Sequence, residues 1–478
     1  MSIRKKVVLQ FFGSNIVTVI SFLLSMILSR MLTPSEIGIF SMAAVIVSIA
    51  HVFRDFGVVA YIKQKKELEI EVLRAAMGML ICSSWLIALV LYFLSWPISN
   101  FYHQEGVRAT MQILAAGFLF IPFGSISQAV LARELQVEKT VLVNAVSTMV
   151  YFCASLLFAW TGFSYLTMAL ANLVNIIVSV IGFTLMRPRW LPWLPSLKGW
   201  KNVFHFGSGA IITSIVQSFD EALGDIMLGR LSVSHFVGVF SRANSTVKIS
   251  FEAVRPTMDY ISLPYLAKVH HSGEVLSKEI VRSTSYLTSL LWPTLAATAF
   301  YSLDIIKLLY GNNWVEAAPA VPWLCLAFGV RATFYFVNPA TTSIGKPYWS
   351  ALPIGFGVLL KIVFIFATFD GSIVSFSRSL AFAEIFASVL YVLAANSLLG
   401  MSLSLWWSAV SRSVKLTIVI ILVLVLLENA TTGLSIPVVR LLVAGALLVP
   451  LWFLLIFVMK HPISAEFSRL ISHVKGRW

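Results

Sequence analysis

Charged residues are scarce in this chain. They make up 12% of its 478 residues, whereas 58% are hydrophobic and the mean hydropathy is +0.88. Soluble domains carry about 25% charged residues. The composition therefore excludes an ordinary water-soluble domain and indicates an all-α integral membrane protein that is solvated mostly by lipid.

Cysteine and recognisable catalytic motifs are also scarce. Cys82, Cys153 and Cys325 are isolated in apolar stretches, without the spacing of a metal site, a redox site or a disulfide framework. The chain has no Gly-x-x-x-x-Gly-Lys phosphate loop. The hydrophilic loops lack paired-carboxylate and His-rich motifs. We therefore expect neither an enzyme nor direct use of ATP, and no cofactor or metal.

Long apolar runs dominate instead, and they predict about fourteen transmembrane helices because each span needs about 20 apolar residues. The first run, from Val7 to Leu32, is too long for a signal-peptide core and predicts an uncleaved span. Only Thr161-Gly162-Phe163 separates the fifth run from the sixth, so counts of twelve to fourteen fit the pattern. The predicted spans are residues 8–31, 37–53, 75–96, 110–131, 142–161, 164–186, 204–229, 236–254, 283–303, 317–337, 348–368, 372–397, 413–428 and 436–459.

The net charge of +14 reflects the orientation of these spans. With the N-terminus placed in the cytoplasm, 24 lysines and arginines fall in inside segments and 4 fall in outside loops. This asymmetry predicts a protein of the bacterial inner membrane with both termini cytoplasmic. It also explains the basic balance without nucleic acid as a partner. The longest predicted loops, 54–74, 187–203 and 255–282, are all on the cytoplasmic side.

An internal repeat relates the two halves. Arg30 and Gly38-Ile39-Phe40-Ser41 recur as Arg230 and Gly238-Val239-Phe240-Ser241 at a constant offset of 200 residues. Both copies follow a span that starts inside, so the repeat is parallel. It predicts an N-terminal lobe at 1–190 (helices 1–6), a C-terminal lobe at 191–400 (helices 7–12), and two additional helices with a cytoplasmic tail at 401–478.

Ionisable residues within the predicted spans concentrate in the second half. Such residues are costly in a membrane and normally face an interior cavity or each other. The predicted substrate-binding residues are the cations Arg242, Lys248, Arg255, Arg331, Lys361 and Arg378. The predicted ion-coupling residues are the acids Asp220, Glu221, Asp225 and Glu384.

Two interpretations of these charges remain open. Lys248, Glu252, Arg255 and Asp259 share one helical face, which suits either a self-paired stripe or the wall of a hydrated cavity. Glu221 and Asp225 suit either a proton or sodium site or salt bridges to Arg242 or Arg331. The excess of cations in spans 8, 10 and 11 favours an anionic cargo, because arginine clamps phosphate well.

Several stretches resemble the Wzx-type polysaccharide and O-antigen flippases, within the multidrug/oligosaccharidyl-lipid/polysaccharide exporter superfamily. The similarity is strongest to the branch that exports colanic acid. The segments that carry it are Arg30–Ser41, Asp55-Phe56-Gly57 followed by Gln64-Lys65-Lys66, Leu131–Leu135, Ser262–Lys268 and Leu309–Trp314.

The resemblance implies a two-lobe transporter working by alternating access, coupled to an H+ or Na+ gradient. Its cargo would be undecaprenyl-pyrophosphate-linked oligosaccharide repeat units, moved to the outer leaflet for lipopolysaccharide or exopolysaccharide biosynthesis. A polysaccharide polymerase, a chain-length regulator and membrane lipids are the implied partners. The alternatives are a cation-coupled multidrug antiporter of the same superfamily and a flippase for the peptidoglycan lipid precursor.

Overall fold

The computed structural model describes residues 3–55, 58, 62, 69–134, 136–196, 200–252, 255–346, 348–431 and 436–475. Within them the regular structure is helical, which confirms the predicted all-α fold. The resemblance segments at residues 56–57 and 64–66 lie outside this part of the chain.

Eighteen α-helices follow one another through the described residues. They are α1 (Ile3–Met31), α2 (Pro34–Asp55), α3 (Ile70–Tyr102), α4 (Glu105–Arg133), α5 (Val137–Trp160), α6 (Thr167–Leu185), α7 (Trp200–Leu231), α8 (Ser234–Glu252), α9 (Arg255–His271), α10 (Leu276–Phe300), α11 (Ser302–Tyr310), α12 (Val321–Thr333), α13 (Val337–Ser343), α14 (Tyr348–Thr368), α15 (Ile373–Leu399), α16 (Leu403–Thr431), α17 (Pro437–Val458) and α18 (Pro462–Lys475). Short 3₁₀ helices cover Ser164–Leu166 and Asn312–Ala320.

Helices occupy all fourteen segments that the sequence predicts as spans. Among the described residues, ten helical segments are long and apolar enough to cross a membrane, or eleven if α10 and α11 form one bent span. The predicted spans outside that count fall in α1, α7 and α8. The chain packs as two compact units, Met1–Ser241 and Arg242–Trp478. The predicted lobes, 1–190 and 191–400 with the addition at 401–478, stay a prediction.

Large apolar side chains are exposed along many helices. Leu86 and Phe93 of α3 are each 60% exposed, and Leu442 and Val458 of α17 are each 67% exposed. A soluble monomer rarely leaves contiguous apolar surface of this extent in water. Helices satisfy their backbone hydrogen bonds internally, so such faces are stable against lipid.

The predicted cytoplasmic loop at 255–282 is wrong in its local structure, because most of it is helical. Pro256 stands in the first turn of α9, where a missing N–H costs little. Ser262, Leu266 and Val269 are buried on one face, whereas Ile261, Leu263 and Lys268 are exposed. The helix is too short and too polar to be a membrane span, which is why hydropathy alone suggested a loop.

The ninth predicted span, 283–303, also differs in shape. Instead of one straight helix, α10 and α11 meet at Tyr301 with a bend of 80°. Asp304 in α11 forms an ion pair with Arg440 of α17, with 3.2 Å between Oδ2 of the aspartate and Nη1 of the arginine. The bend therefore places a short helix where it is held by α17.

Helix α2 begins with a reciprocal cap. The Thr33 N–H donates to Oε2 of Glu36 at 2.7 Å, and the Glu36 N–H donates to Oγ1 of Thr33 at 3.3 Å. Two of the free N–H groups at the helix start are thereby satisfied. The Ser164 hydroxyl donates to the same Glu36 carboxylate. The turn between α5 and α6, in which Gly162 has a φ of +85°, is thus tied to the start of α2.

The two copies of the internal repeat contact each other at this end of α2. A Cβ atom on Gly38 would lie 1.8 Å from the carbonyl oxygen of Ser234, and one on Gly238 would lie 1.9 Å from the carbonyl oxygen of Pro34. The two contacts exchange when 200 is added to or subtracted from each residue number. Ser41 and Ser241, which are counterparts, join their hydroxyls at 3.4 Å. Reciprocal contacts of this kind are the signature of a two-fold axis.

The C-terminal helices dock on α10 through a buried polar cluster. His461, 1% exposed, lies between the hydroxyls of Ser285 and Ser413, which are 3.3 and 3.2 Å from its Nε2. Its Nδ1 accepts the Ile463 N–H at 3.3 Å, so Nε2 carries the ring proton. Burial, with Arg412 nearby, lowers the pKa of His461 to about 4. The neutral imidazole therefore joins α10, α16 and the start of α18.

The close approach of backbone at Gly38 and Gly238 predicts that neither position tolerates a side chain larger than hydrogen. We expect Gly38→Ala and Gly238→Ala to destabilise the protein by about 1–3 kcal/mol, because the added methyl group meets backbone that cannot rotate away. The thermal unfolding midpoint in detergent measures this effect. Gly445→Ala is the matched control, since a Cβ there has nothing within 4 Å. Equal midpoints for all three variants would contradict the account.

Candidate functional site

Three ionisable side chains meet in the packed interior of the second unit. The Lys361 Nζ lies 2.7 Å from Oε1 of Glu384, and Arg331 Nη1 lies 3.9 Å from the same oxygen. We call these three residues the mid-helix charge cluster. Lys361 and Glu384 are 5% and 8% exposed and stand near the middles of α14 and α15.

The local sequence explains how this cluster forms. Helices α14 and α15 form an antiparallel hairpin, joined by only four residues, and α12 packs on α15. Small residues line the buried face of α15, including Ala381 and Ala383, so the neighbouring helices come close. Because a single buried ion is far more costly than a pair, each charge in this position needs the other.

The helices of the cluster carry an excess of positive charge. Together α12, α14 and α15 contain Arg331, Lys361, Arg378 and one acid, Glu384. The Arg331 side chain is the accessible member, with 35% of its surface exposed against 7% for Lys361. Lys361 thus neutralises Glu384 in the interior, and Arg331 presents a guanidinium at the more open side.

Glu384, predicted as an ion-coupling acid, is paired with a lysine in the structure. Its carboxylate is already engaged by Lys361 at hydrogen-bonding distance. A carboxylate in this position acts first as the counter-ion of a buried lysine. Whether it also couples an ion stays a prediction.

Arg242 lies in an aromatic site of the same unit. Its guanidinium carbon is 5.5 Å from the ring centre of Tyr310 and 5.6 Å from that of Trp314. All three residues are at most 7% exposed. Aromatic faces stabilise a buried cation by about 2 kcal/mol when water is excluded. The structure thus places this predicted substrate ligand in a closed packing site.

The sequence did not indicate that Tyr310 and Trp314 would be the aromatic neighbours of Arg242. Both lie in the Leu309–Trp314 segment that carries part of the family resemblance. Between them Gly311 has a φ of +95°, a conformation that favours glycine. The pattern Tyr-Gly-Asn-Asn-Trp therefore turns the chain so that two rings face one arginine, a signal visible only once the turn is known.

Arg255 forms two ion pairs, and both are more exposed than the pair of Lys361 and Glu384. It contacts Glu252 at 3.2 Å and Asp259 at 3.4 Å, and the three side chains are 41–56% exposed. Tyr335 also donates its hydroxyl to Asp259. This confirms pairing within the predicted stripe, although the stripe spans α8 and α9 instead of one helix. Lys248, also on the stripe, is partly buried.

The structure places Arg378 at the start of α15, near the α14–α15 turn. Hydrogen bonds from Ser375 and Ser372 lower the pKa of Asp370 to about 2, and the positive charge of Arg378 contributes. Asp370 is outside the membrane-spanning helices and stays ionised. The positive charge of Arg378 thus helps to stabilise the Asp370 carboxylate in this turn.

The predicted coupling acids of α7 have different environments. Asp220 is 7% exposed, Glu221 is exposed, and Asp225 is partly buried. Tyr102 of α3 interacts electrostatically with Asp225. Of the three predicted coupling acids, Asp220 and Asp225 are thus the ones shielded from solvent.

Comparisons with known proteins place this geometry in a wider context. A family described as "Polysaccharide biosynthesis protein" matches residues 27–319, which is more than half of the chain. The lipopolysaccharide biosynthesis protein WzxC of Escherichia coli (strain K12) is 23% identical over 364 residues, covering 74% of this chain and 70% of that protein. The succinoglycan biosynthesis transport protein ExoT of Rhizobium meliloti (strain 1021) is 21% identical over 71% of this chain and 68% of its own length.

Solved structures show the same fold at low sequence identity. The lipid II flippase MurJ in an inward closed conformation has a TM-score of 0.70 and 11% identity, covering 96% of this chain and 99% of its own. An inward-facing multidrug resistance transporter of the MATE family has a TM-score of 0.60 and 12% identity, covering 80% of this chain and 94% of its own. Both are polytopic membrane proteins, and the chain shares their fold.

The mid-helix charge cluster predicts that Lys361 and Glu384 are strongly coupled in their contributions to stability. Lys361→Met should lower stability by about 3–5 kcal/mol, because Glu384 then remains buried without its close cation. The double variant Lys361→Met/Glu384→Leu should recover most of that loss. Unfolding of the purified protein, measured as a double-mutant cycle, gives the coupling energy.

Lys415→Met is the control for the loss of a lysine from a membrane helix, since Lys415 is exposed on α16. We expect it to leave the unfolding midpoint nearly unchanged. Additive effects of the two cluster substitutions would show that Lys361 and Glu384 do not depend on each other.

Proposed function

Because the chain belongs to the polysaccharide biosynthesis protein family, we propose that it is a flippase for lipid-linked oligosaccharide repeat units. The family match over residues 27–319 is the observation that carries the proposal. Translocation, without chemical conversion of the cargo, is the reaction. The product would supply the polymerisation of a surface or secreted polysaccharide, with a polymerase and a chain-length regulator as partners.

The charge of the second unit supports an anionic cargo such as undecaprenyl pyrophosphate carrying a sugar. Three cations and one acid on α12, α14 and α15 favour phosphate over a cationic drug. Arg331 is suited to hold a phosphate oxygen, because its planar guanidinium donates two parallel hydrogen bonds. This observation ranks the flippase above the multidrug antiporter, whose fold the chain also shares.

Alternating access would follow from the symmetric contact between α2 and α8. In the proposed cycle the Gly38–Gly238 contact is closed in one state and separated in another. Two packed helices without interposed side chains can part as rigid bodies. Proton or sodium binding to the shielded acids Asp220 and Asp225 is the proposed source of energy.

The proposed location is the inner membrane, with both termini in the cytoplasm. The count of 24 inside against 4 outside basic residues supports this orientation. The basic last turn of α9, with Lys268, His270 and His271, fits a helix at an anionic membrane surface.

Deletion of the gene tests this function directly. We expect surface polysaccharide to be lost and undecaprenyl-linked repeat units to accumulate, shielded from reagents added outside the inner membrane. Arg331→Met should lower export about tenfold or more at equal protein level, which corresponds to about 1.4 kcal/mol. Lys415→Met is the control and should export normally.

Other outcomes identify the rival functions. Normal polysaccharide with new drug sensitivity would indicate the antiporter. Accumulated lipid II with cell lysis would indicate the peptidoglycan precursor as the cargo. Either result would overturn the proposal.

A further inference from the structure

A polar cavity lies in the first unit, and no charged residue lines it. It is a partly open cavity of about 420 Å³ lined by α1, α5 and α6. That volume lies within the range of about 300–1,000 Å³ that is typical of small-molecule sites. Six of its nine lining residues are polar and none is ionisable; the polar ones are Thr18, Asn144, Ser147, Thr148, Asn175 and Ser179.

These polar residues are unusual for the helices that carry them. Both α5 and α6 belong to segments that are long and apolar enough to cross a membrane. The residues nevertheless recur at helical spacing, as Asn144, Ser147 and Thr148 on α5 and as Asn175 and Ser179 on α6. Positions three or four apart share a helix face, so each helix turns one polar face inwards.

One amide in the cavity wall lacks a hydrogen-bond partner. The side-chain oxygen of Asn175 is buried from solvent and accepts no hydrogen bond within the described residues. A buried polar atom in this condition costs about 1–3 kcal/mol. Asn175 lines the cavity, so a rotation of its amide would let a ligand hydroxyl or amide N–H donate to this oxygen and offset that cost.

The chemistry of the lining identifies the class of ligand. Asparagine amides and serine or threonine hydroxyls both donate and accept hydrogen bonds, and they carry no charge. An ion would find no counter-charge here, and an apolar molecule would leave the polar groups unsatisfied. A neutral polyhydroxylated molecule matches both the donors and the acceptors.

The position of the cavity along its helices is also informative. Gly13 and Thr18 belong to the first two thirds of α1, Asn144 to the first half of α5, and Ser179 to the second half of α6. In the predicted topology α1 and α5 start on the same side of the membrane and α6 runs the other way, so these positions lie towards the end where α1 begins. In the proposed orientation this is the cytoplasmic half of the membrane, where the cargo is loaded.

We propose that this cavity binds a neutral sugar residue of the cargo through its hydroxyl or acetamido groups. The inference rests on the proposed function for the identity of the cargo. It adds a sugar-binding site in the first unit, separate from the mid-helix charge cluster of the second. Recognition of sugar and recognition of phosphate are thereby assigned to different residues.

Two probes separate the two kinds of recognition. One is the neutral oligosaccharide released by mild acid from the lipid-linked pool of the native host. The other is undecaprenyl pyrophosphate without sugar. Binding of each to the full-length protein in lipid nanodiscs is measured for the wild type, Asn175→Leu, Asn172→Leu and Arg331→Met.

We expect Asn175→Leu to weaken oligosaccharide binding about tenfold or more and to change undecaprenyl pyrophosphate binding less than about twofold. Arg331→Met should instead weaken undecaprenyl pyrophosphate binding about tenfold or more. Asn172→Leu is the matched control, because Asn172 is on the same helix, three residues away, and does not line the cavity. It should bind both probes as the wild type does.

Three outcomes would overturn the inference. They are oligosaccharide binding by Asn175→Leu at wild-type strength, equal weakening of both probes, and no oligosaccharide binding by the wild type. The deletion phenotype separates this failure from failure of the proposed function. If export requires the chain and Asn175→Leu binds sugar normally, only the sugar site is wrong.

Discussion

The close crossing of α2 and α8 is the constraint on which the rest of the proposed transport mechanism depends. Glycine at positions 38 and 238 lets backbone meet backbone, and any side chain at either position would strike a carbonyl oxygen within 2 Å. The surrounding structure supports this contact. Glu36 caps α2 and holds the α5–α6 turn through Ser164, and Gln104 donates to the Ser234 hydroxyl at 3.2 Å.

The way in which polar and charged side chains are accommodated differs between parts of the chain. In the second unit, buried cations have close neighbours: Lys361 pairs with Glu384, and the guanidinium of Arg242 lies near the rings of Tyr310 and Trp314. Where side chains are about half exposed, as around Arg255, pairs form without a burial cost. In the first unit, the polar cavity avoids charge altogether. Such a division suits a cargo that combines a charged phosphate with neutral sugars. The phosphate needs cations in place of water, and the sugars need uncharged hydrogen-bonding groups.

Much of the fold was predictable, because hydropathy and glycine spacing act over short distances in the sequence. The fourteen apolar runs fall in helices, and the repeat at an offset of 200 matches the reciprocal contacts of Gly38 and Gly238, although the contact itself was not predicted. The helix at 255–271 and the 80° bend at Tyr301 were not predictable, since both depend on tertiary packing. The charge cluster was predicted by residue type only: the pattern indicated Arg331, Lys361 and Glu384, but not that the acid would bind the lysine. The polar cavity was missed because uncharged side chains add little to a charge map.

The central claim is that transport requires α2 and α8 to separate at their symmetric contact. Ser41 and Ser241, whose hydroxyl oxygens are 3.4 Å apart, allow a reversible lock. In a chain with Cys82, Cys153 and Cys325 replaced by alanine, Ser41→Cys with Ser241→Cys should form a disulfide on oxidation. Export of the lipid-linked oligosaccharide, measured in cells or proteoliposomes, should stop when the disulfide forms and return on reduction, while each single variant stays active. Full export by the oxidised, crosslinked protein would contradict the account.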